Sequence, residues 1–183
     1  MYVNYMPMLT GIYRSLRYRT LVPLTIRVVK GLYQDIGIFF RNYKKFVVII
    51  NDINCDGEFK TLVDEVNDKL NITMKYISKG EHVPEVELNN RSIGECIRAT
   101  YHNLPYNIIP RIMLKYLTMI FTEQWNIFPN KSVLSKYFIP HVIMTKHDLD
   151  FGKHCQVPFG DFVQVNQENN RTYTNAPQTI DVI

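Results

Sequence analysis

The chain has 183 residues, a formal charge of +4 and a sequence pI near 8.9. A hydrophobic share of 46% and a charged share of 21% suit one globular domain with a sizeable core and exclude a largely disordered chain. The mildly basic balance permits a nucleic-acid partner without demanding one.

Met1 to Thr10 is apolar but short and lacks a basic start, so it does not read as a signal peptide. The stretch from Met1 to Val22 reads instead as three short antiparallel strands: Tyr2–Met6, Met8–Tyr13 and Leu16–Leu21. Arg14, Arg17 and Arg19 punctuate its last part. Thr25 to Tyr43 carries Ile26, Val29, Leu32, Tyr33, Ile36 and Phe40 at steps of three and four, which predicts a helix. Phe46 to Ile50 is an unbroken β-branched and aromatic run, the pattern of a strand buried on both faces. The polar stretch from Asn51 to Asp56 either continues that strand or leaves it.

Phe59 to Leu70 presents Leu62, Val63, Val66 and Leu70 on one helical face. Ile72–Ile77 predicts another strand and Ser78–Val83 a loop. Pro84 suits the first turn of a helix, with Glu85 and Glu87 near its positive end. That helix runs to about Asn103, where Pro105 stops it. Arg111–Phe128 is a further, strongly apolar helix, closed by Pro129. Its run from Ile112 to Phe121 is broken by Lys115 and Thr118, and no apolar run reaches the ~18 residues of a membrane span. Tyr116, Phe121, Trp125 and Phe128 recur at helical spacing and read as core rather than as a base-stacking platform. Beyond Asn130 the pattern weakens, and Asn166–Gln178 reads as a loose polar tail. Strands alternating with helices after an opening hairpin predict an α/β fold with a mixed sheet. The organisation expected is a core over 1–129, its extension over 130–168 and a flexible tail over 169–183.

Two acidic signals stand out. Asp56 comes after the expected buried strand and opens Asp56-Gly57-Glu58-Phe59. In open α/β sheets ligands gather at the carboxyl ends of strands, where a carboxylate can hold a divalent cation. Asp is also a favoured helix cap, so a purely structural role stays open. The second signal is Gly80-Glu81-His82-Val83-Pro84-Glu85-Val86-Glu87, which sets acids on the first turn of a helix; the helix dipole favours them there in any case. Arg91 and Arg98 lie beyond Glu87 on the same helix face and could meet phosphates, as could Lys75 and Lys79.

Other chemistries find little support. Cys55, Cys96 and Cys155 are odd in number and far apart, which suggests neither a disulfide framework nor a zinc ribbon and agrees with a nuclear or cytoplasmic rather than a secreted protein. His82, His102, His141, His147 and His154 lack paired ligand spacing. No G-x-S-x-G, G-x-G-x-x-G or P-loop pattern occurs.

A strand-end Asp, an amphipathic helix, a short strand and a Glu on the next helix is the order found in the integrase and transposase superfamily. More closely, the chain resembles the catalytic core of copia-type retrotransposon integrases. The matching features begin with Val3-Asn4, Met6-Pro7, Asp56-x-Glu58-Phe59 and Glu81-His82-Val83-Pro84-Glu85-Val86-Glu87. They continue with Arg91, Arg98-Ala99, Leu104-Pro105 and Trp125-Asn126-x-Phe128-Pro129, and end with His154-Cys155-x-x-Pro158-Phe159-Gly160 and Val163-Gln164-Val165. They span about residues 1 to 168.

The resemblance implies a ribonuclease H-like fold, a mixed five-stranded sheet with helices on both faces. It also implies polynucleotidyl transfer on DNA, with carboxylates holding Mg²⁺. Asp56 would be the second acid of that set and Glu87 the third, with Glu85 and Glu81 as the next choices. The partners implied are retroelement ends and target DNA, with a homo-oligomer possible and no membrane. The family's first acid lies just ahead of the segment matching Val3-Asn4, whereas no acid here precedes Asp35, and Asp35 falls inside the first expected helix. Leu88 stands where Arg usually follows the helix Glu, and Asn89, Asn90 and Gly94 interrupt a stretch that is normally Ile- and Lys-rich. The chain as written is therefore expected to be an incomplete or inactive integrase core. The alternatives are a non-catalytic module binding nucleic acid or protein, and a nuclease on the same fold.

Overall fold

A computed structural model gives the fold for residues 1–24, 29–46, 48–77, 83–129, 139–161, 163–166 and 179–182. Strand β1 (Tyr2–Val3) turns through Asn4 and Tyr5 into β2 (Met6–Tyr13). Both turn residues have positive φ, 43° and 64°, as a two-residue hairpin turn of the twist-matching kind requires. β2 then pairs antiparallel with β3 (Tyr18–Pro23), from Met8 opposite Pro23 to Tyr13 opposite Tyr18. These are the three strands expected from the sequence, each displaced by a few residues.

Helices cover both faces of this sheet. Side chains alternate along β2, so Met8 and Leu9 point opposite ways. Met8 joins Val3, Leu21, Ile93, Ile97, Leu114 and Leu117 in one cluster beneath α3 (Pro84–Asn103) and α4 (Arg111–Trp125). On the other face lies α1 (Val29–Lys45), whose Phe39 ring rests on Gly11. Tyr43 of the same helix accepts a hydrogen bond from the Thr20 hydroxyl at 2.8 Å. Phe121 and Trp125 pack against the first cluster, as expected. Tyr116 and Phe128 do not: they are 51% and 59% exposed.

The second unit is a parallel pair. β4 (Asp52–Cys55) and β5 (Thr73–Tyr76) align residue for residue from Asp52 opposite Thr73 to Cys55 opposite Tyr76. A 3-10 turn (Gly57–Leu62) and α2 (Val63–Leu70) connect them. Leu62 and Val66, both fully buried, pack with Ile36, Cys55 and Met74.

The expected mixed five-stranded ribonuclease H-like sheet is not formed. The chain is α/β, but it has a three-stranded antiparallel sheet, β1-β2-β3, and a separate two-stranded parallel sheet, β4-β5. The difference starts at Phe46–Ile50, which the sequence pattern makes a strand buried on both faces. Residues 48–50 are irregular, and Ile49 is 81% exposed. Phe46, Val48 and Ile50 instead close a third cluster around Leu16, Tyr43 and Met144. The ladder falls to the next residues, half of them polar.

α3 starts at Pro84 and ends at Asn103, the limits the two prolines impose. Gly94 has open space where a Cβ would stand, so it serves no close approach. After α4 come α5 (Pro140–Thr145) and α6 (Phe151–His154). The Tyr106 hydroxyl donates to the Gly160 carbonyl at 2.6 Å, and Phe159 packs on the first cluster, so the region beyond 130 returns to the core. β6 (Val163–Asn166) pairs antiparallel with β7 (Thr179–Val182), the latter within the stretch read as a tail; the rest of that stretch lies outside the described residues. Among the described residues no helix is long and apolar enough to cross a membrane.

Candidate functional site

Asp56 sits directly after β4 in extended backbone, φ −72° and ψ 158°. Its Oδ1 accepts the Gly57 N–H at 2.8 Å and so caps the 3-10 turn. The capping role allowed by the sequence is thus present, and the carboxylate remains exposed. Glu85 and Glu87 occupy the first turn of α3. Glu85 Oε2 lies 3.1 Å from Arg14 Nη2, tying the start of α3 to the β2–β3 turn. One turn after Glu87, Asn90 Oδ1 accepts the Thr10 hydroxyl at 2.7 Å. This bond fixes α3 against β2 and with it the position of Glu87.

Asp56, Glu85 and Glu87 line one cleft of about 590 Å³, together with Asp52 and Glu58. The cleft runs between β2 and β4. Leu32, Ile36 and Phe40 of α1 form part of its wall, and Val86 and Asn90 of α3 another part. Burial, and then the charge of Asp56, push the neighbouring Cys55 thiol up to about 11, so in the free site it stays protonated at neutral pH.

Among the described residues no three His, Cys, Asp or Glu side chains converge as metal ligands. Glu85 is already committed to Arg14, and Asp52 lies 3.5 Å from Lys75 Nζ. The donors that Asp56 and Glu87 bring to the cleft are carboxylate oxygens, which suit a hard cation. They do not by themselves furnish the ligands of a two-ion centre.

Of the expected phosphate-binding residues, Arg91 and Arg98 are exposed on the face of α3 that carries Glu87. Arg91 Nε also donates to Glu95 Oε1 at 3.0 Å within the helix. Lys75 is exposed on β5 beside Asp52. Lys79 and Glu81 lie outside the described residues. Sequence reasoning missed Asp52 as a cleft residue. The signal was there in Asp52-Ile53-Asn54-Cys55, a period-two alternation that marks a strand with one polar side. No protein-family model matches the chain, and no curated protein matches it either.

Proposed function

We propose that the chain is an integrase-derived core of retroelement type that binds DNA and, as it stands, does not carry out strand transfer. The observation that supports this reading is the cleft shared by Asp56, at the end of β4, and Glu87, in the first turn of α3. Asp56 and Glu87 hold one Mg²⁺, and Arg91 and Arg98, on the Glu87 face of α3, meet phosphates. A bound Mg²⁺ there supplies Lewis-acid stabilisation of a phosphodiester oxygen. Two carboxylates leave a paired-ion centre short of negative charge, because two divalent ions ~3.5–4 Å apart repel strongly. Strand transfer is therefore absent while DNA binding persists.

A duplex-binding measurement by fluorescence anisotropy, run beside a strand-transfer assay with Mg²⁺ or Mn²⁺, tests the reading. Binding is expected at low salt, falling steeply between about 50 and 200 mM, and weaker in Arg91→Ala and Arg98→Ala. No joined product is expected. Absence of DNA binding at low salt would overturn the reading, as would a strand-transfer product that Asp56→Asn abolishes.

A second reading, a non-catalytic module binding nucleic acid or protein, is favoured by the structural duties of two of the acids. Asp56 caps a turn, and Glu85 is held by Arg14. DNA binding that ignores both the divalent cation and Asp56→Asn would select it.

A further inference from the structure

Near the start of β3 the fold holds a guanidinium in place and gives it no counter-charge. The Asn126 carboxamide clamps the Arg19 main chain from both sides. The Arg19 side chain runs between α3 and α4. There the Trp125 ring lies 4.6 Å from the guanidinium carbon, and Nε donates to Asn89 Oδ1 at 2.8 Å. The N–H groups on Nη1 and Nη2 meet no acceptor among the described residues. Asn89 is 4% exposed, and its Nδ2, the donor beside that Oδ1, has no partner either. Arg17 stands in the turn that leads into β3. Among the described residues no carboxylate lies within ion-pair distance of Arg17 or Arg19. Burial first, and then the positive charge of Arg17, lower the Arg19 pKa, so the two cations are close enough to repel. Glu95 is paired with Arg91, and Glu123, two residues before Trp125, stands on the other side of α4.

This corner has donors in excess and two uncompensated positive charges. Buried donors in native proteins have partners, and an orphan of this kind points to a water or an ion. A guanidinium fork matches a carboxylate or a phosphate. Two forks with two positive charges, backed by an orphaned amide donor, match a doubly charged group with three or more acceptor oxygens, which a carboxylate does not offer. We propose that Arg17 and Arg19 form a binding site for a phosphate dianion, either free or on a small phosphomonoester. Arg19 is preorganised for it. Its main chain, its Nε and one face of its guanidinium are held before the ligand arrives, so little side-chain freedom is lost on binding. Arg17 closes on the phosphate from the turn. The site lies on the Asn89 side of α3, opposite the face that carries Arg91 and Arg98. None of its residues lines the acidic cleft. The proposal goes beyond the integrase reading and requires neither the divalent cation nor duplex DNA.

Trp125 is the chain's single tryptophan, so its emission reports on the site directly. The test titrates the full chain with inorganic phosphate at about pH 8, where phosphate is a dianion, with EDTA present and ionic strength held by sodium chloride. A saturable change in emission is expected, half complete at or below about 5 mM, together with a rise in melting temperature. Dimethyl phosphate, a diester with a single charge, should bind at least about tenfold more weakly. Methyl phosphate separates the two sources: tighter binding than inorganic phosphate assigns the site to a phosphomonoester, weaker binding to the free ion. Arg19→Lys keeps the charge and loses the fork, and it should weaken binding at least about tenfold, as should Arg17→Gln, with the circular dichroism unchanged. Arg17 makes no hydrogen bond or ion pair among the described residues, so Arg17→Gln keeps the test open if Arg19→Lys does not fold. No saturable response by about 50 mM phosphate, or an equal response to chloride, would overturn the proposal. So would equal affinity for dimethyl phosphate, or undiminished binding by Arg17→Gln.

Discussion

The carboxamide of Asn126 brackets the main chain of Arg19: its Oδ1 accepts the Arg19 N–H at 2.7 Å, and its Nδ2 donates to the Arg19 carbonyl at 2.8 Å. Arg19 stands opposite Ile12 in β3, the outer strand of the three-stranded sheet. An edge strand there needs partners for its outward main chain, and a buried side chain supplies them. Trp125 adds a second contact, its ring lying 4.6 Å from the Arg19 guanidinium, and Arg19 Nε donates to Asn89 Oδ1 at 2.8 Å. The Trp-Asn pair at the end of α4 thereby joins that helix to β3.

Loss of this bracket leaves two half-buried main-chain groups without partners. Asn126→Ala is expected to lower the unfolding free energy by about 2–4 kcal/mol in urea titrations. Asn126→Asp keeps the acceptor but loses the donor and introduces a charge, so it should fare no better. A cost below about 0.5 kcal/mol would mean that water replaces the carboxamide freely.

Gly11 is required by the approach of α1 to β2. A Cβ at this position would stand 2.1 Å from Phe39 Cζ, and the Phe39 ring is backed by Tyr43 at 5.2 Å between centroids. Gly11→Ala should cost about 1–3 kcal/mol by overpacking. Phe39→Leu in the same chain should recover part of that loss. If the double variant is no more stable than Gly11→Ala alone, the clash is not with this ring.

The thiol of Cys55 has its pKa raised from 9.0 to about 11, by burial first and the Asp56 charge second. The folded state therefore binds this proton more tightly than the unfolded chain does. The resulting stabilisation is complete below pH 9 and is lost as the pH rises through about 11. Unfolding free energy should fall over that window, and Cys55→Ala should flatten part of the fall. Burial also raises the Tyr43 and Tyr18 hydroxyls and the Cys96 thiol, which add to the loss at the alkaline end. At pH 8 a thiol reagent should modify the exposed Cys155 rapidly and Cys55 only on unfolding.

The parts of the fold that sequence disclosed are those governed by local rules. Pro84 and Pro105 bound α3, and the β2–β3 hairpin arises from apolar alternation. The sheet was misread where a tertiary contact overrode local preference. Phe46, Val48 and Ile50 have strong strand character, yet they pack around Tyr43 and Met144, and the ladder passes to Asp52–Cys55. The expected helix from Phe59 is split because Asp56 caps a 3-10 turn before α2 begins. At the site, Asp56, Glu85 and Glu87 were legible because strand ends and helix starts are places where acids have a use. The pairing of Glu85 with Arg14 was not, since the two residues lie far apart in sequence and leave no local trace.

In the proposed function, Asp56 and Glu87 share one divalent cation. A Mn²⁺ titration of the full chain, followed by electron paramagnetic resonance of the free ion, measures this directly. One ion is expected to bind, displaceable by Mg²⁺, with binding abolished by Asp56→Asn and by Glu87→Gln and retained in Glu85→Gln. No binding at millimolar Mn²⁺, or binding that survives either of the first two substitutions, would rule out a shared ion at Asp56 and Glu87.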